Sequence, residues 1–290
     1  MRNSIVTSVS LAAALAAVLV VTTAPHPAAQ GRQRISGEGF ISEGIPKMPN
    51  PPGPAPKQDL SGAWVGPGNS NKPEPVPPMT PAGQAAFKEH QTFGNATGQG
   101  RGGAAAATGV SNDPFITCDP LGFPRDLEAH AITNRGGTLF ATAPNRIIIA
   151  YEQQRVWREI WMDGRALPKA VDVKGAPESR YYGYSVGHWE NDNTLVVETT
   201  GFDERPWLDE AGHPRSPMAK ITERYTRVDQ YNTHVEVTVD DPKYYTKPWK
   251  WMNFNLYWMK AQEFSELLCI PSEALEYRDT LTRPSGINAK

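Results

Sequence analysis

Residues 181–202, YYGYSVGHWENDNTLVVETTGF, constrain the fold of this chain more than any other stretch. Two alternating runs flank Asn191, Asp192 and Asn193, three turn formers in a row, and that order predicts a β-hairpin. With the triplet as the loop, Glu190 faces Thr194, Trp189 faces Leu195, His188 faces Val196 and Val186 faces Glu198. Side chains alternate along a strand, so Tyr184, Val186, His188, Val196, Glu198 and Thr200 share one face, while Ser185, Gly187, Trp189, Leu195, Val197 and Thr199 share the other. The first face sets an imidazole diagonally from a carboxylate on the neighbouring strand. The second is apolar around a tryptophan.

The same period continues on both sides. Strands are expected at 59–65 (DLSGAWV), 130–133, 146–153 (RIIIAYEQ), 156–162 (VWREIWM), 219–228 (AKITERYTRV) and 234–239 (HVEVTV), parted by turn formers such as Asp163-Gly164. A short helix is expected where Thr80 can cap Pro81, running to about His90. Successive strands with short connections imply a mostly β chain, an antiparallel meander that closes into a barrel or stacks as a sandwich, and the barrel is preferred. Gly62, Ala63 and Trp64 give the Gly-x-Trp start that lipocalin-like barrels show in their first strand.

Residues 1–29 are expected to be a signal peptide, with Arg2 ahead of the apolar core LAAALAAVLVV at 11–21, which is too short to span a bilayer comfortably. Cleavage near Ala24 or Ala29 would leave a periplasmic or secreted protein with no membrane span; a retained anchor is the competing reading. Residues 30–58 read as a Pro-rich linker and 59–280 as one β-barrel domain with a disordered insertion at about 93–112, followed by a tail at 281–290. The 29 basic and 31 acidic residues nearly balance and no basic stripe exists, so nucleic acid is not an expected partner. The two cysteines, Cys118 and Cys269, form one bridge in the economical reading for an oxidising compartment, worth about 4 to 5 kcal/mol in the chain-entropy model. Two buried free thiols are the alternative.

The run GYSVGHWENDNTLVVETTGF, followed by Trp207, Leu208, Asp209, HPRSPM, TERYTR and DDPKYYTKPW, resembles a family of exported bacterial lipocalin-like β-barrel proteins over residues 59–269. The resemblance implies fold and export, and carries no activity. It leads one to expect a second histidine after His213-Pro214; Arg215 stands there instead, which argues against a metal at that turn.

His188 and Glu198 are the candidate catalytic pair, because a desolvated imidazole beside a carboxylate can act as a general base with an orienting partner. A structural histidine, or a pair on the barrel's outside, is the competing reading. Candidate substrate-binding residues are Tyr184, Trp207, Asp209, His213, Arg224, Tyr245 and Trp249: a charged and aromatic loop, an arginine suited to a carboxylate or phosphate, and a C-terminal aromatic concentration. Turn formation, ion pairing and packing of a closing strand explain the same residues without function. No HxxxH or HxH spacing occurs, so no metal site is expected, and no dinucleotide, P-loop, GxSxG or HExxH pattern calls for a cofactor. These features point to an exported barrel binding a small hydrophobic or aromatic molecule, as a cofactor-free lyase, hydratase, isomerase or hydrolase using the His/Glu pair. A non-catalytic carrier or an envelope interaction protein is the alternative.

Overall fold

The computed structural model describes residues 52–66, 74–92, 111–131, 136–259 and 263–282. Among them nine strands close into a barrel: β1 (Gly62–Val65), β2 (Thr138–Ala143), β3 (Arg146–Tyr151), β4 (Trp157–Trp161), β5 (Tyr184–Trp189), β6 (Thr194–Thr200), β7 (Lys220–Arg227), β8 (Asn232–Asp240) and β9 (Trp249–Trp258). The described helices are α1 (Pro81–Glu89), α2 (Arg125–Ala131) and α3 (Pro271–Thr282), with one 3-10 turn at Pro114–Thr117. None of them is long and apolar enough to cross a membrane. The described residues all fall in one unit, Ile45–Lys290. The expected signal peptide, most of the Pro-rich stretch and nearly all of the 93–112 insertion lie outside them.

The sheet departs from a pure antiparallel meander at one junction. If nine strands alternated throughout, the first and ninth would run the same way. Here β4 and β5 are parallel, pairing only Ile160 with Ser185 and Trp161 with Val186, and that single reversal lets β1 close antiparallel on β9. A parallel pair needs a crossover rather than a tight turn, and residues 162–183 supply it.

The hairpin of residues 181–202 forms in the expected register, from Tyr184 opposite Thr200 to Trp189 opposite Leu195. Asn191 closes its turn by accepting from the amides of Asn193 (2.8 Å) and Thr194 (2.9 Å). Of the strand expected at 130–133, residues 130 and 131 instead end α2, and 132–133 lie outside the described residues. Thr80 caps α1 by accepting from the Gly83 amide (3.1 Å), with Pro81 in the first turn. The end of the Pro-rich stretch is docked: Gly53 accepts from the Gln230 amide, and Lys57 pairs with Asp192 at 2.8 Å.

Side chains fill the barrel. Trp64, Phe140, Ile149, Tyr151, Val197, Tyr225, Val235 and Phe254 are all buried in one core. The Trp64 ring packs edge-on against Trp258 at 5.2 Å, and the Arg227 guanidinium lies 4.8 Å above it.

Cys118 and Cys269 form a disulfide across a separation of 151 residues. It pins the segment leading into α3 to the 3-10 turn, alongside a bond from the Ser265 amide to Glu152 Oε1 (2.6 Å). Replacing both cysteines by serine is expected to lower the stability measured by urea unfolding by about 4 to 5 kcal/mol while the far-ultraviolet β signature persists. Collapse of that signature would mean that the bridge holds the barrel itself.

Candidate functional site

The β4–β5 junction, with only two paired positions, is held by a side chain. Arg158 points inward from β4, where alternation also buries Ile160 and turns Trp157, Glu159 and Trp161 outward. Its Nε donates to Ser185 Oγ (3.0 Å) on β5 and its Nη2 to Thr199 Oγ1 (2.8 Å) on β6. Nη1 and Nη2 together take both oxygens of Glu223 on β7, at 3.1 and 2.5 Å. Tyr225 also donates to Glu223 Oε1, Ser185 and Thr199 bond each other at 2.9 Å, and the Phe123 ring lies 3.7 Å from the guanidinium carbon. Burial alone would lower the pKa of Arg158, but the Glu223 carboxylate outweighs it and the net direction is upward. One guanidinium thus ties four consecutive strands.

Outside this tie the strands splay, and a cleft of about 210 Å³ opens between them. Trp157, Trp161, Tyr181, Tyr182 and Tyr184 form its aromatic walls, with Arg180, Glu159, Ser185 and Arg158 as polar lining. Trp157 is 60% exposed. Trp161 is flanked by the guanidiniums of Arg165 (3.4 Å) and Arg146 (4.1 Å), and Arg180 lies over Tyr184 at 4.2 Å. Gly183, at φ +66°, lines the cleft just before β5; a Cβ there would come within 2.8 Å of Phe202, Thr199 and Thr200 atoms.

Behind the cleft sits a buried acid. Tyr182 donates to Asp126 Oδ2 at 2.5 Å, and its ring stacks on Tyr151 (6.1 Å). Burial pushes the Asp126 carboxyl up to about 8, against the Tyr182 bond and the charge of Arg125. Asp126 is therefore largely neutral at pH 7. Burial also raises Tyr151 and Tyr182.

His188 is exposed and Glu198 half-buried on the outer face of the barrel, where Glu198 pairs with Lys220. The two sit in the expected register but do not enter the interior, because the opposite face of the hairpin, with Ser185, Gly187, Leu195, Val197 and Thr199, packs inward. An interior His/Glu acid–base pair is thus excluded by the direction of the strand. Arg224 also faces out, paired with Glu190 at 2.5 Å; the inward residues of β7 are Ile221, Glu223, Tyr225 and Arg227.

Of the expected binding residues, Tyr184 lines the cleft. Trp207, Asp209, His213, Tyr245 and Trp249 do converge, at a separate corner closed by α1. His213 Nδ1 bonds Asp209 Oδ2 (2.5 Å), Phe87 stacks on His213 (5.1 Å), His213 meets Trp249 edge-on (5.3 Å), and His90 stacks on Trp207 (4.6 Å). Tyr245 donates to Pro214 O and Trp249 to Glu74 O. Burial raises the Asp209 carboxyl, but its bond to His213 prevails and holds it below the usual range. Burial, with the nearby charges of Asp209 and Glu210, drives Glu128 well up. The polar atoms of this corner are engaged with one another, as suits a packed junction rather than a cavity. Arg215, where a second histidine was expected, is buried and donates to the carbonyls of Phe123 and Asp203.

Among the described residues no three His, Cys, Asp or Glu side chains gather as a metal would require. Comparison with protein-family models, curated proteins and solved structures gives no match to this chain. Its chemistry rests on its own residues.

The raised pKa of Asp126 fixes a pH dependence. The folded state binds a proton that the unfolded state, near 3.8, releases, so this contribution to stability is full below that value and is lost as pH rises to about 8. Asp126→Asn keeps an acceptor for Tyr182 and is expected to remove up to roughly 1.4 kcal/mol of loss per pH unit in that window. Urea midpoints of both proteins across the window test this, and parallel curves would refute it.

Proposed function

We propose that the protein is a lipocalin-like binding barrel acting in the periplasm or outside the cell, and that it holds one small hydrophobic or aromatic molecule in the β4–β5 cleft. The observation that carries this reading is the aromatic-walled opening beside converging polar groups, the usual make-up of a ligand site. An apolar cavity of roughly 150 Å³ takes up benzene; about 210 Å³ suits a single ring with a short substituent. A second cleft of about 340 Å³, beside Pro168, Gly201 and Met218, has no aromatic wall and is a weaker candidate.

Binding without chemistry is favoured over catalysis, since among the described residues no histidine or cysteine lines the cleft and its one carboxylate, Glu159, is paired with Arg146 at 2.6 Å. The filled interior favours a site in the wall over one inside the barrel. Support for lipocalin-like type comes from the closed barrel and the buried Trp64 of its Gly-x-Trp strand, and support for export from the disulfide and the apolar N-terminal run.

Titration with single-ring aromatic probes, followed by tryptophan fluorescence, is expected to show saturable binding. Trp157→Ala should weaken it roughly tenfold, the loss of one stacked ring face being worth on the order of 1.5 kcal/mol, while His188→Ala leaves it unchanged. Unsaturable quenching, or equal losses in both variants, would contradict this site.

A further inference from the structure

The arginines around the cleft are not equally matched. Arg158 is taken by Glu223 (2.5 Å), Arg146 by Glu159 (2.6 Å) and Arg165 by Asp163 (2.6 Å). Arg180 lines the same cleft, is exposed, and among the described residues has no carboxylate within ion-pair distance. Its guanidinium lies over the Tyr184 ring at 4.2 Å. Tyr184 is itself tethered, its hydroxyl donating to Glu178 O at 2.8 Å. The platform beneath Arg180 is therefore fixed, and the backbone of Arg180 is held too, its amide donating to Gly201 O (3.1 Å) and its carbonyl accepting from the Asp203 amide (2.9 Å).

Glu159, the one carboxylate of the lining among the described residues, is already held by Arg146 and balances that residue rather than Arg180. The cleft thus presents an aromatic slot with one uncompensated positive charge. A guanidinium offers a planar fork of donors matched to a carboxylate, and stacking on a ring leaves the edge of that fork free to bind.

We infer that the cleft selects planar aromatic monocarboxylates, the ring entering beside Trp157 and Tyr182 and the carboxylate meeting Arg180. This inference rests on the cleft being the ligand site and adds the charge of the ligand. The volume of about 210 Å³ admits one ring with an acetate-sized substituent.

The probes that separate the two ideas are phenylacetate and phenylacetamide, nearly identical in shape and differing in charge. Titration calorimetry on the wild-type chain is expected to show phenylacetate binding roughly fivefold tighter, as suits an ion pair at a partly exposed site. Arg180→Gln should bring the two affinities together while leaving phenylacetamide unchanged, and Arg180→Lys should restore part of the preference. Arg224→Gln, which removes the same charge from the distant outer face, should leave the preference intact. If the two probes bind equally to the wild type, or Arg224→Gln abolishes the preference as Arg180→Gln does, charge selection by Arg180 is overturned while the cleft stands as a neutral aromatic site. If neither probe binds, both readings fail.

Discussion

The barrel depends on a buried ion pair. Arg158 and Glu223 have side chains only 1% and 0% exposed, and two charges so far from water persist only when each is paired and its remaining hydrogen-bonding capacity is used. Ser185, Thr199 and Tyr225 use it. The position of the pair is not arbitrary. An odd number of strands closes with an antiparallel last pair only if one junction is parallel, and the parallel β4–β5 ladder, like the closing β1–β9 ladder, is only two positions long. Arg158 reaches across it to β5, β6 and β7, supplying by side chain the connections that the backbone does not make there.

The same shortage of backbone pairing opens the wall. Beyond Ile160 and Ser185 the strands part, and the gap is bordered by the outward residues of β4 and the entry to β5. The interior is filled by Trp64, Tyr151 and Tyr225, which is why the proposed ligand site lies at the seam. The packed corner of Trp207, Asp209, His213 and Trp249 serves a different purpose: it docks α1 and the loop after β6 against the start of β9 through mutually satisfied rings and one His–Asp bond.

The hairpin register was legible because a three-residue turn of asparagines and aspartate leaves one way to align two alternating runs. Which face points inward was not legible, because alternation says only which residues travel together. In WREIW the ordinary expectation buries the tryptophans; the fold instead turns Trp157 and Trp161 outward and Arg158 inward, since an arginine meeting Glu223 and two hydroxyls fits where a second ring would not connect the seam. Glu223 shares its strand face with Ile221, Tyr225 and Arg227 in any reading of TERYTR, but its partner lies 65 residues earlier, a distance no local pattern spans. The parallel junction was hidden for the same reason, residues 162–183 carrying no periodicity that marks a crossover. Arg180, at the end of that crossover, had no motif to single it out.

Equilibrium unfolding of Arg158→Ala, read beside residue-resolved amide hydrogen exchange, tests the role of the ion pair most directly. A latch across the seam predicts a loss of roughly 3 to 5 kcal/mol, the cost of leaving Glu223 buried and unpaired, with exchange accelerating first in β4 and β5. A loss below about 1 kcal/mol, the range of an exposed pair, or acceleration that begins at the α1 corner while β4 and β5 stay protected, would contradict it.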